Sequence, residues 1–140
     1  MAEPVSDFNT KIIEEFRSNG GRVGGPFADT TVLLLHHKGA KSGVERVSPL
    51  VCQQVGQSFA VFGSKGGGPL NPAWYHNLMA HPDTTIEVGT QTITVRARIA
   101  ARGEHEVIWE RQKQRRPNFA EYERTAAPRQ IPVIVLDPVR

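Results

Sequence analysis

An apolar strand signal, Ser58 to Phe62, runs without a break into Gly63-Ser64-Lys65-Gly66-Gly67-Gly68-Pro69-Leu70-Asn71-Pro72-Ala73-Trp74-Tyr75-His76-Asn77, and this junction constrains the chain more than any other stretch. The successive glycines Gly66, Gly67 and Gly68 let a backbone come close to a ligand with its N–H groups exposed. Ser64 and Lys65 add a hydroxyl and a cation where an anion would sit. Pro72 suits the first position of a helix capped by Asn71, so that the free N–H groups and positive dipole end of the helix face the same loop. The junction reads as a phosphate-binding loop between a strand and a helix. It is neither a Walker loop nor a dinucleotide fingerprint, because the Gly-Lys-Ser/Thr ending and the alternating glycines are both absent.

The flanking sequence supplies the frame. Thr30 to His37 reads as a buried strand, Gly39-Ala40-Lys41-Ser42-Gly43 as a turn, and Val44 to Phe62 as a hairpin closed at Gly56-Gln57. The helix Pro72 to Ala80 is expected to turn Trp74, Leu78 and Met79 towards the core. A second hairpin covers Thr84 to Ile99, with Thr92, Thr94, Arg96 and Arg98 on a polar face and Ile93, Val95, Ala97 and Ile99 on an apolar one. Glu104 to Arg116 suits a helix with Val107, Ile108 and Arg111 along one edge, and Phe119 to Arg124 adds a turn. Ile131 to Leu136 is the last strand, with Pro132 at an edge or among its first residues. About six strands and three helices, with strands dominating the centre, indicate an α+β fold on an antiparallel barrel.

At the N-terminus Asp7 caps a helix whose Phe8, Ile12, Ile13 and Phe16 share one face. That face suits packing on the domain, and a membrane surface or lipophilic substrate would accept it as well. The 140 residues fit one domain, divided into an N-terminal helix and linker (1–29) and the barrel (30–140). A net charge of +3 with acids and bases interspersed favours a small anionic ligand over nucleic acid, and Arg111 to Arg116 read as a solvated face. One cysteine, Cys52, excludes an internal disulfide, and a buried strand position suits it better than a nucleophile's role. His36 and His37 point to opposite sides of a strand, and His76 and His81 match poorly on a helix, so no metal is expected. With neither a signal peptide nor a long apolar run, the expected location is cytoplasmic.

The ordered set Gly39-Ala40-Lys41-Ser42-Gly43, Arg46, Pro49-Leu50, Gly63-Ser64-Lys65-Gly66-Gly67, Asn71-Pro72-Ala73-Trp74-Tyr75-His76-Asn77-Leu78 and Ile131-Pro132-Val133 resembles the deazaflavin-dependent nitroreductase family, also described as F-420-dependent quinone reductases. The resemblance implies a split antiparallel β-barrel of the FMN-binding type with flanking helices, and the 8-hydroxy-5-deazaflavin coenzyme F-420 as cofactor, with FMN the less favoured alternative. It implies hydride transfer from the reduced coenzyme to a small organic acceptor, a quinone or nitroaromatic; a non-catalytic carrier of the same coenzyme is the alternative from another class. Lys41, Arg46, Ser64, Lys65 and Gly66 would hold the anionic tail, and Pro72, Trp74 and Asn77 would line the ring pocket. Val51, Phe119 and Tyr122 would shape the acceptor site, with Tyr122 orienting the acceptor or donating a proton. Phe119 and Val51 stand where some relatives carry a tyrosine. Oligomeric state is left open.

Overall fold

The structure, a computed structural model, describes residues 7–24, 31–68 and 70–139. Its strands are β1 (Val32–Lys38), β2 (Glu45–Val55), β3 (Ser58–Phe62), β4 (Asp83–Val88), β5 (Gln91–Ile99) and β6 (Val133–Pro138). They close into an antiparallel barrel in the order β1-β2-β3-β6-β5-β4. The period of two along each strand explains the closure. Leu33 and Leu35, Cys52, Phe59 and Val61, Ile86, Val95 and Ala97, and Ile134 and Leu136 all turn inward and form one buried cluster.

Three strands, β1, β3 and β6, are apolar on both faces, and all have helices outside them. Helix α1 (Asp7–Ser18) lays Ile12 and Phe16 on Val32 and Leu34, the outward side chains of β1. The residues expected to offer a membrane-facing surface are therefore covered by the barrel; the side chain of Phe8 lies outside those described. Helices α3 (Arg102–Arg115) and α4 (Asn118–Ala126) cover Ala60, Phe62, Val133 and Val135 with Ile108, Trp109 and Phe119. By contrast the outer side of β5 is bare. Its Arg96 pairs with Asp83, and its Arg98 with Glu104 and Asp137.

Several expectations shift by a residue or two. The edge of α3 that packs is Ile108, Trp109 and Gln112, while Val107 is 62% exposed. Gln53 on β2 donates to the Ile108 carbonyl and the Gln112 side chain, a buried polar tie that hydrophobic spacing does not reveal. Ile99 ends β5 beyond the alternating pattern and is 52% exposed, and Met79 turns out of the core as well. The expected turn at Phe119 to Arg124 is the helix α4. Pro132 precedes β6, so the closed barrel needs no edge to accommodate it, and its carbonyl accepts the Gly63 N–H at 3.0 Å.

Helix α2 (Ala73–Ala80) plugs one end of the barrel with Trp74 and Leu78. It begins one residue later than expected. Pro72 holds the cap position with extended backbone, no side chain caps it, and the Asn71 side chain bonds to Arg129 instead.

Candidate active site

β3 delivers the chain to Gly63, and the loop that follows makes a single 3-10 turn, Lys65–Gly67, before reaching α2. The glycines here are not all open to a ligand. A side chain on Gly67, whose φ is 81°, would collide with the Thr125 hydroxyl and the Tyr122 backbone of α4. The loop is therefore packed on α4 at its glycine-rich end. What it presents outward is Ser64 and an exposed Lys65.

These two residues rim a cavity of about 310 Å3. Pro49, Leu50 and Val51 of β2, Phe62 of β3, Trp74 of α2 and Phe119 of α4 give it an apolar lining, and Asn118, Tyr122 and Arg116 complete it, so that Arg116 faces this cavity rather than belonging to the solvated face expected for 111–116. Phe119 is fixed by edge-on contacts with Phe62, Trp109 and Tyr122 at centroid distances of 5.5, 5.9 and 5.3 Å. Trp109 is anchored in turn by a hydrogen bond from its Nε1 to Glu123. Asn118 donates to the Tyr122 hydroxyl at 3.1 Å, a bond that leaves the phenol proton unused.

The fold brings Ser64, Lys65, Trp74, Val51, Phe119 and Tyr122 to this one cavity, and Lys41, Arg46, Pro72 and Asn77 are not among its described lining. Gly66 lies in the 3-10 turn and Pro72 is the buried cap of α2. Asn77 faces the β1–β2 end of the barrel. Its Oδ1 accepts the Ala40 N–H at 2.9 Å, which fixes the orientation of the amide, and its Nδ2 donates to His37 Nδ1 at 2.9 Å. His37 Nε2 then carries the proton and donates to the Ser48 hydroxyl at 2.9 Å. Burial, together with the charge of Arg46 and the neighbouring His36, pushes the His37 pKa down to about 4, so the ring is neutral at physiological pH. Asn77 thus ties α2 to the turn that carries Lys41. Arg46 pairs with His37 across the β1–β2 ladder.

His36 points the other way from His37 and bridges Glu45 and Glu87 at 3.0 and 2.8 Å. Cys52 lies inside the barrel, where burial pushes its thiol up to about 12, so no thiolate forms there at neutral pH. Among the described residues no group of His, Cys, Asp and Glu converges as a metal site.

Sequence reasoning missed Arg116 and Asn118 of the cavity lining, and it missed Arg129. Its guanidinium donates to the carbonyls of Gly63, Ser64 and Gly68 and to Asn71 Oδ1, over 2.6–3.2 Å. No periodicity marks it, since it lies in the irregular link between α4 and β6. The signal that exists is indirect: a glycine loop with little regular structure has carbonyls that need partners.

The family model described as F-420H(2)-dependent quinone reductase matches residues 10–138. An F-420H(2)-dependent quinone reductase of Mycobacterium tuberculosis (strain H37Rv) is 36% identical over 127 residues, 86% of this chain and 83% of that protein. A second protein of that organism, described as a putative F-420H(2)-dependent quinone reductase, is 37% identical over 106 residues, 76% of this chain and 88% of its own length. Among solved structures, the F-420-H2-dependent reductase FDR-A superposes with a TM-score of 0.69 at 33% identity, covering 76% of this chain and 93% of that one. A structure described as a domain-swapped dimer superposes with a TM-score of 0.71 at 30% identity, covering 91% and 92%.

Proposed function

The chain belongs to the F-420H(2)-dependent quinone reductase family, and from that premise we infer that it uses the cavity between β2, α2 and α4 to reduce a quinone-type acceptor with the reduced deazaflavin coenzyme. The coenzyme, when bound, supplies the hydride; the protein supplies position and a dry, shaped site.

The observation that carries this reading is the polarity of the cavity. Much of the lining is apolar, from Pro49, Leu50, Val51, Phe62, Trp74 and Phe119, and a hydroxyl and two cations, Ser64, Lys65 and Arg116, border it. A planar ring joined to an anionic tail matches both ends at once. The volume of about 310 Å3 is at the low end for ligand pockets, so the apolar lining would hold the ring and Ser64 and Lys65 would hold the anionic tail. The second cationic group lies on the β1–β2 side of α2: Asn77, three residues after Trp74 and so about 4.5 Å further along the helix axis, holds the turn that carries Lys41 through the Ala40 N–H, and Arg46 stands opposite His37 in the β1–β2 ladder. A tail that met both groups would run along α2.

Tyr122 is the acceptor-side residue. Its hydroxyl accepts from Asn118, so its own proton is free to hydrogen-bond an oxygen of the acceptor and to stabilise negative charge that develops there. Phe119 gives the same helix, α4, an apolar surface and Val51 adds another from β2, which together suit a quinone ring. A small-molecule acceptor is the partner this predicts.

Titration of the purified protein with F-420 and, separately, with FMN tests the reading. Tight binding of F-420 with turnover of a quinone is expected. Binding of FMN alone would sink it, and binding of F-420 with no turnover of any quinone would leave a carrier.

A further inference from the structure

We propose that Arg129 is a positioning residue that shapes the 63–71 loop for the anionic tail of the coenzyme. The proposal rests on the reading of that loop given above. Five hydrogen bonds join one guanidinium to the loop, two of them to the Gly68 carbonyl. In a trans peptide the carbonyl and the following N–H point in opposite directions. Because the Gly63 and Ser64 carbonyls face Arg129, the N–H groups of Ser64 and Lys65 face away from it, and the side chains of these same two residues rim the cavity. Arg129 thereby turns a floppy glycine segment into a row of outward donors of the kind that cradles an anion.

Two further features make the arginine specific. Lys65 has φ 47°, a left-handed conformation that side-chain-bearing residues disfavour, and Arg129 grips the backbone on both sides of it, at Ser64 and Gly68. All five bonds go to neutral oxygens, so the positive charge is not cancelled by them and lies directly behind the loop. An anion on the far side is attracted through a part-buried, less screened region. A lysine ammonium is a compact point donor and cannot span carbonyls from Gly63 to Gly68 as the planar fork does.

The test compares wild type with Arg129→Ala and Arg129→Lys. F-420 affinity is read by fluorescence titration, and amide hydrogen exchange over 63–71 is read in the coenzyme-free protein. Both variants should bind F-420 roughly tenfold or more weakly, as loss of several charge-assisted bonds to the loop implies. Loop exchange should speed up while barrel strands keep their protection, and millimolar guanidinium ion should restore part of the affinity of Arg129→Ala. If Arg129→Ala fails to fold, Arg129→Lys at wild-type melting temperature carries the test. Affinities within about twofold of wild type, or unchanged loop exchange, overturn the proposal. A wild-type protein that binds no F-420 overturns the functional reading instead, and the exchange measurement then decides by itself whether Arg129 shapes the loop.

Discussion

At the scale of single residues, the proposed function turns on two side chains, Tyr122 and Lys65, whose surroundings say how each role can be tested. Tyr122 is half-buried, stacked edge-on against Phe119, and its oxygen already accepts from Asn118. Tyr122→Phe keeps the ring in that stack and removes only the hydroxyl. Single-turnover oxidation of pre-bound reduced coenzyme by a quinone should slow by about tenfold to a hundredfold, with coenzyme affinity nearly unchanged. Equal rates in both proteins would take Tyr122 out of the chemistry. Lys65 is exposed, so its attraction for the tail is screened by water and salt. Lys65→Met should weaken coenzyme binding by about 1 kcal/mol at low ionic strength, and the difference from wild type should vanish as salt is raised. A loss that persists in high salt would mean that Lys65 holds the loop rather than the ligand. Lys65 could be singled out from the sequence because a cation beside glycines carries its chemistry in its type, whereas Tyr122 was singled out only by the family resemblance. The sequence did not reveal Arg129 or Gln53, whose importance lies entirely in the backbone oxygens and the glutamine that folding brings to them.

At the scale of elements, the loop and α4 form a single unit. A Cβ on Gly67 would meet the backbone of Tyr122 and the hydroxyl of Thr125, so the loop that brings Ser64 and Lys65 to the cavity rests on the helix that brings Tyr122 to it. Gly67→Ala should therefore disturb both. The left-handed φ of 81° costs alanine about 1–2 kcal/mol, and the new methyl must push α4 outward. The expected result is a raised KM for the quinone together with weaker coenzyme binding, measured in steady-state kinetics and titration. A variant altered in coenzyme binding alone would show that α4 moves independently. Strand-to-loop-to-helix order was legible here from composition, but the contact was not. Three successive glycines suggest open backbone, and nothing local distinguishes a glycine that meets a ligand from one that meets a helix some 55 residues later in the chain.

At the scale of the whole molecule, the barrel was readable because most strands alternate or carry short apolar runs, and the three doubly apolar strands, β1, β3 and β6, are the ones that helices cover. What alternation could not disclose is how the open end of the barrel is sealed. Polar side chains do that: His37 bonds Ser48 and Asn77, and Asn77 holds the Lys41 turn by the Ala40 N–H. The arrangement needs a neutral imidazole, since a protonated Nδ1 would face the Asn77 amide donor, and this has a consequence for stability. The His37 pKa is lowered from 6.5 to about 4, so the unfolded chain takes up its proton first as pH falls. The stabilisation is complete above pH 6.5 and is lost progressively towards pH 4. Urea unfolding at pH 5 should give a free energy lower than at pH 7 by on the order of 2 kcal/mol. Glu87, whose carboxyl is held below its usual range mainly by the hydrogen bond from Arg17, has its ordinary value at 4.5, so its contribution is lost only at more acid pH. His37→Gln removes the titration while keeping a polar group against Asn77. It should lower stability at pH 7 and flatten the fall between pH 7 and pH 5; an undiminished slope in that variant would place the acid sensitivity in another group.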